Sequence, residues 1–324
     1  MAVYTQLGAE ALAEIVANFN VGELVSAKGI AEGVSNSNWL IETAGRTGKG
    51  SRFILTIYEQ RTDVSELPFF LGLLDHLAEH GCPVPRTIHD RDNRAFRFHD
   101  GKALALIEFL PGVSVSMPTP AQARAVGEAL GRVHVAGAGF GPTRANGLAL
   151  RAWQALAEAC GAEGLDTIEP GLAQRIADEL AFLVDAWPRH LPASVIHADL
   201  FPDNVLMLDS AVTGLIDFYF ACNDITAYDV AVTHAAWCFS ADGRRFDRGV
   251  SDALLNGYSS VRPLSTDERA CLPVLARGAA MRFLMTRAYD WMNTPANAMV
   301  TRKDPLAFAR RLDFYANSAN AVIF

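Results

Sequence analysis

Residues 195–206 read VIHADLFPDNVL, and the way they are read decides how the chain is organised. His197, Asp199, Asp203 and Asn204 fall within this stretch, directly ahead of an apolar run. Val205–Leu208 has strand character, Asp209-Ser210-Ala211 is turn chemistry, and residues 212–216 return as a second strand, so the segment predicts a β-hairpin. The expected register of that hairpin brings Asn204 opposite Asp217. Paired strands lie about 4.8 Å apart. The amide oxygen and the carboxylate could therefore grip one cation, and an oxygen-only set of this size suits Mg²⁺. Asp199 stands just before the hairpin, free to act as a base toward a hydroxyl held near that metal. Singly, each piece is common: His-x-Asp occurs by chance, Asp-Asn is ordinary loop chemistry, and an Asp often ends a hairpin. Together they form what phosphoryl transfer needs, a metal clamp beside a carboxylate that orients the nucleophile.

The rest of the chain falls on either side of a change in texture. At 324 residues it exceeds the usual single core. An amphipathic opening helix is followed by ELVSAKGIAEGVSNSNWLIETAG and the strand RFILTIYEQ. A helix near residues 65–80 comes next, with Pro68 in its first turn, Phe70, Leu73, Leu74 and Leu77 at helical spacing, and Gly81 as its stop. CPVPRTIHD and RAFRFHDGKALALIEFL complete a small sheet, and EFLPG at 108–112 marks the break. Helical patterns such as AQARAVGEALGRVHVAG and ELAFLVDAWPRHL dominate beyond it. The expected fold class is α+β, with a small N-terminal antiparallel-sheet lobe carrying one helix (residues 1–109) and a larger, mainly helical C-terminal lobe (residues 110–324).

Composition narrows the partners. The net charge is −8 and no run of Lys or Arg exceeds two residues, so neither nucleic acid nor an anionic membrane finds a basic face. A nucleotide bound through Mg²⁺ is compatible with that charge. The opening MAVYTQLGAEALAEI lacks the pattern of a signal peptide, and no apolar run reaches membrane-helix length. Five scattered cysteines with no CxxC pair fit reduced thiols in a cytoplasm.

The His-x-Asp-x-x-x-x-Asn spacing resembles the catalytic loop of protein kinases, and IDF at 216–218 resembles their metal-binding DFG. HADLFPDNVL followed by GLIDFYFACNDITAYDVA is similar to the aminoglycoside phosphotransferase and choline kinase superfamily, small-molecule kinases with a bilobal, protein-kinase-like fold. Within it, GVSNSNWLIET, FILTIYE, the PVP after the first-lobe helix, EFLPG and MRFLMTRAYDW resemble the homoserine kinases of bacterial threonine biosynthesis. The resemblance implies ATP and Mg²⁺ as cofactors and L-homoserine as the small-molecule acceptor. It implies Asp199 as catalytic base, Asn204 and Asp217 as Mg²⁺ ligands, His197 ordering the loop and Asp229 anchoring it. It places Glu108 to Leu110 as the hinge meeting adenine, and Ser35, Asn36 and Ser37 in the loop over the phosphates.

One departure stands out. Kinase-like folds place a lysine, or in some cousins an arginine, on the third strand, where this chain has Thr56. Glu66 then reads as a favourable charge in a helix's first turn. Loop N–H groups, Mg²⁺, Arg52 or Lys102 are left to hold the phosphates. For the acceptor, Arg282, Thr286 and Asp290 recur every four residues and share a helix face that offers both charges to an amino acid, with Arg287 beside them. His134 lies on the apolar stripe of Val126 and Leu130 and reads as a core histidine. Two alternatives stay open: a kinase of the same fold acting on choline, an aminoglycoside or another amino alcohol, and a non-catalytic nucleotide-binding homologue.

Overall fold

The computed structural model describes residues 5–30, 36–45, 50–59, 63–294 and 302–324. Ser35 lies outside these residues. The chain forms two compact units, Met1–Pro111 and Gly112–Phe324, dividing a few residues after the break expected at 109/110.

The first unit builds its sheet from short strands separated by turns. Helix α1 (Ala9–Val16) precedes β1 (Glu23–Ile30), β2 (Ser37–Ala44) and β3 (Gly50–Ile57). Helix α2 (Leu67–Glu79) is followed by β4 (Thr87–Ile88), β5 (Arg97–His99) and β6 (Lys102–Glu108). The strand order is β1-β2-β3-β6-β4 with β5 on β6, and every pairing is antiparallel. Successive side chains alternate faces, so Ile41, Leu55, Ile57, Leu104 and Leu106 share one side. There they bury against Leu12, Ile15 and Val16 of α1. The expected opening helix is thus part of this unit's core.

The second unit contains α3 (Pro120–Gly137), α4 (Leu150–Cys160), α5 (Ala162–Ile168) and α6 (Leu172–Ala186). Strands β7 (Ala193–Ile196), β8 (Val205–Leu208), β9 (Ala211–Leu215) and β10 (Cys222–Ile225) follow, and then α7 (Thr226–Trp237), α8 (Arg248–Val261), α9 (Thr266–Asn293) and α10 (Leu306–Ala316). Every residue of α7 is buried, making it the helix around which the unit packs. Beside the expected hairpin of β8 and β9, β7 and β10 form a second two-stranded sheet. β10 is only CNDI, too short and too polar to announce a strand.

Helices α3 and α8 cross backbone to backbone. A Cβ placed on Gly127 would sit 2.2 Å from the Leu254 carbonyl oxygen, and one on Gly257 would sit 2.1 Å from that of Arg124. Rigid backbone cannot yield as a side chain does. Gly127→Ala is therefore expected to cost about 3 kcal/mol, the upper end of overpacking penalties. Urea titration measures it, and an unshifted midpoint would show that the two helices can part freely.

The hairpin corrects one expectation. Val205 pairs with Leu215 and Leu206 with Gly214; after a bulge, Met207 pairs with Val212 and Leu208 with Ala211. The turn is the two residues Asp209-Ser210, with Asp209 at φ 53°. Asn204 consequently faces Ile216, whose N–H donates to the Asn204 carbonyl at 3.0 Å, and not Asp217. Asp217 follows in the left-handed conformation, φ 66° and ψ 56°.

Candidate active site

The loop between β7 and β8 is held from below. The backbone N–H groups of His197 and Ala198 donate to the two carboxylate oxygens of Asp229 at 2.7 and 2.8 Å. Asp229 projects from the buried α7, which makes it a rigid anchor. Its carboxylate also meets His134 Nε2 at 3.0 Å, and His134 Nδ1 meets the Tyr258 hydroxyl at 2.9 Å. His134 is a core residue, as the apolar stripe predicts, and it is also wired to the loop's anchor. Burial alone would raise the Asp229 carboxyl; hydrogen bonds from His134 and the His197 N–H reverse this and hold it below its ordinary range.

His197 is buried, and that keeps its ring neutral, well suited to pairing one donor with one acceptor. Nε2 donates to the Ile216 carbonyl at 3.0 Å, while Nδ1 accepts from the Asp199 N–H at 3.2 Å. The histidine thus joins the Asp199 backbone to the end of the hairpin. The Trp237 indole N–H adds a further tie to the Leu200 carbonyl at 2.9 Å.

Asn204 closes the loop on Asp199. Its Nδ2 donates to the Asp199 carbonyl at 2.8 Å and to Asp199 Oδ2 at 3.3 Å, leaving Oδ1 as the oxygen for a cation. Burial pushes the Asp199 carboxyl up to about 7; Asp217 and Asp203 add to the rise, and Arg282 and Lys303 oppose it. Burial also raises Asp217, with Asp203 pushing the same way. These carboxylates are short of countercharge, and a divalent cation is the group that would supply it. Among the described residues no three Asp, Glu, His or Cys side chains converge as a ready-made metal cage. Asn204 Oδ1 and Asp217 could offer one or two protein oxygens to a cation, a number that suits Mg²⁺ when water and phosphate complete its shell.

Two cations reach this group, one from α9 and one from the segment before α10. Lys303 Nζ is 3.6 Å from Asp203 Oδ2 and 5.9 Å from the Phe201 ring. Sequence reasoning missed it, because the RKDP segment carries no pattern that ties it to the loop. Arg287 donates to the Asp304 carbonyl at 3.3 Å and lies 4.5 Å over the Phe308 ring. Burial brings its guanidinium down to about 10, while the charges of Asp304, Asp199 and Asp203 pull the other way. Asp290 is exposed on the last turns of α9, and Thr286 donates to the Arg282 carbonyl. The structure moves Arg282 out of the expected substrate set, since it is only 1% exposed and its Nη1 donates to the Ala198 carbonyl beneath the loop. Eight residues of helix also separate Arg282 from Asp290 by about 12 Å, too far for one small amino acid to bridge.

In the first unit, Asn36 and Ser37 are buried where β2 begins. Asn36 Oδ1 accepts from the Glu59 N–H at 3.3 Å, and the Ser37 hydroxyl donates to Glu59 at 2.7 Å. Glu108 ends β6 with its N–H on the Arg86 carbonyl, and Leu110 is half-buried in the segment after it. Thr56 donates to Asn38 Oδ1 at 2.8 Å. Lys102 lies on the opposite, α1-facing side of the sheet with Leu104 and Leu106, bonded to Glu59 and Thr5 at 2.6 Å. Arg52 pairs with Glu42 at 3.3 Å. The pleat thus separates Lys102 from the position the third-strand lysine would have filled.

Residues 26–264 match the model of the phosphotransferase enzyme family, well over half of the chain. The chain belongs to this family. Its membership makes it a phosphotransferase acting on a hydroxyl, and its relatives narrow the branch. A homoserine kinase of Azorhizobium caulinodans is 50% identical over 321 residues, covering 99% of this chain and 98% of that protein. One of Gluconacetobacter diazotrophicus is 51% identical over 322 residues, with the same coverage. The chain therefore groups with the homoserine kinases of the family. An amicoumacin kinase solved in complex with AMP-PNP, Ca²⁺ and Ami superposes with a TM-score of 0.69 over 96% of this chain and 94% of its own. At 14% identity that likeness shows the kinase-like fold alone. No helix among the described residues is long and apolar enough to cross a membrane.

Proposed function

We propose that the chain is an ATP- and Mg²⁺-dependent homoserine kinase, transferring the γ-phosphoryl group of ATP to the side-chain hydroxyl of L-homoserine. The observation that carries this reading is identity near 50% along almost the whole length of curated homoserine kinases. The site's chemistry agrees with it. Asp199 is the base: a carboxylate raised to about 7 is well matched to accepting a hydroxyl proton near neutrality. Asn204 Oδ1 and Asp217 would hold the Mg²⁺, which neutralises charge on the nucleotide phosphates. His197 and Asp229 hold the base still, so that the hydroxyl meets it in line with the phosphoryl group. Asn36, Ser37, Glu108 and Leu110 are the described residues assigned to the nucleotide, although the Ser37 hydroxyl is already given to Glu59.

A release assay for ADP across homoserine, choline, an aminopropanol and an aminoglycoside tests the assignment. Homoserine is expected to give the highest kcat/KM, by about 10³-fold or more, because an unmatched charge leaves buried polar groups unpaired. A better acceptor among the others would overturn the substrate, and nucleotide binding with no product from any would overturn the enzyme.

Homoserine carries a carboxylate, and Arg287 is the half-buried cation best placed for it. Arg287→Ala is expected to raise KM for homoserine about 10- to 100-fold, the loss of one charged hydrogen bond, with kcat little changed. An unaltered KM would remove Arg287 from the acceptor pocket.

A further inference from the structure

Arg282 carries a charge that the reaction as described leaves without a use. It projects from the middle of α9, and among the described residues no carboxylate comes within ion-pair distance of it. Its guanidinium lies against the rings of Phe283 and Phe220, at 4.7 and 5.5 Å. Its Nε has no hydrogen-bond partner, and Nη1 donates to the Ala198 carbonyl. A buried guanidinium without a paired carboxylate costs stability that an apolar side chain of similar volume would not. The residue it touches is itself unusual. Ala198 sits at φ 63°, a left-handed conformation that a β-carbon disfavours, immediately before Asp199.

We propose that Arg282 is a positioning residue for phosphoryl transfer: by capping the Ala198 carbonyl it locks the left-handed turn that aims Asp199, and sets a fixed positive charge beneath that carboxylate. The inference rests on Asp199 being the base. Two independent ties then define the turn. Asp229 holds the Ala198 N–H from α7, and Arg282 holds the Ala198 carbonyl from α9. With both ends of one peptide pair clamped, the direction of the next side chain is set by rigid helices and not by the loop.

The test compares Arg282→Gln and Arg282→Lys, each alone and with Ala198→Gly, on whichever acceptor the wild type phosphorylates. Failure here therefore leaves the acceptor assignment standing. Arg282→Gln is expected to lower kcat about 100-fold, the cost of a base misplaced by an ångström, with KM for both substrates within about twofold. Arg282→Lys keeps the charge without the planar fork and should lose less. Glycine adopts positive φ freely, so in the Ala198→Gly background the loss from Arg282→Gln should shrink to about tenfold. Equal losses in both backgrounds, a rise in KM for the acceptor, or a lowered melting temperature with unchanged kcat would each overturn the proposal. If Arg282→Gln does not fold, a wild-type kcat in Arg282→Lys does the same.

Discussion

Replacing Asp199 with Ala is expected to lower kcat by about three orders of magnitude, within the range that a positioned general base contributes. Nucleotide affinity should stay close to wild type, because in this reading Asp199 touches the acceptor hydroxyl and not the nucleotide. Steady-state turnover and calorimetric titration with a non-hydrolysable ATP analogue measure the two quantities separately. The variant keeps the backbone pattern of the loop, since Asp199 is bound to His197 through its main-chain N–H. What it removes is the acceptor of the proton and one carboxylate from a crowded group. Turnover equal to wild type would dismiss Asp199 as base, and a collapse of nucleotide affinity would reassign it to the metal.

The second large effect is on stability. Asp229→Ala is expected to cost about 3–5 kcal/mol, because removing one partner of a buried hydrogen-bonded pair leaves the others orphaned. Here the orphans are His134 Nε2 and the two backbone N–H groups of His197 and Ala198. Urea denaturation monitored by tryptophan fluorescence reads the loss, and an unchanged midpoint would mean the loop is not held from α7. The same carboxyl makes a pH prediction. It is lower in the folded chain than its ordinary value of 3.8, so its contribution is complete above that value and is lost as pH falls through and below it. Asp229→Asn should therefore show a flatter loss of stability below about pH 4 than wild type.

Much of the geometry of this loop and hairpin was legible in the sequence, for a physical reason. His197, Asp199, Asn204 and Asp217 are close in sequence, and a hairpin brings such residues together using only local turn chemistry. Even there the pairing expected for Asp217 was one residue off. The bulge between Leu206 and Met207 offsets the two-residue turn, so residues 204 and 216 stay opposite each other and Asp217 lies one residue beyond. Asp217 reaches the group through its left-handed backbone and not through strand pairing.

Residues that act across long sequence separations divide differently. The apolar stripe of α3 identified His134 as buried, but not that it meets a carboxylate 95 positions away. The four-residue spacing in α9 put Arg282, Thr286 and Asp290 on one face, and that is true of the helix. Whether such a face meets solvent or the catalytic loop depends on what packs over it, which helical periodicity does not encode. Likewise Lys102 was a candidate for the phosphates until the pleat of β6 turned it toward α1.

By itself, then, the sequence determined the family chemistry, the change from sheet to helices past residue 110 and the loop that carries Asp199, because local spacing and turn residues suffice for all three. Only the tertiary structure decided which cations face the carboxylates from above and which support them from below. That choice is made by the burial of whole helices, and burial is a property of packed surfaces, not of any one segment's pattern.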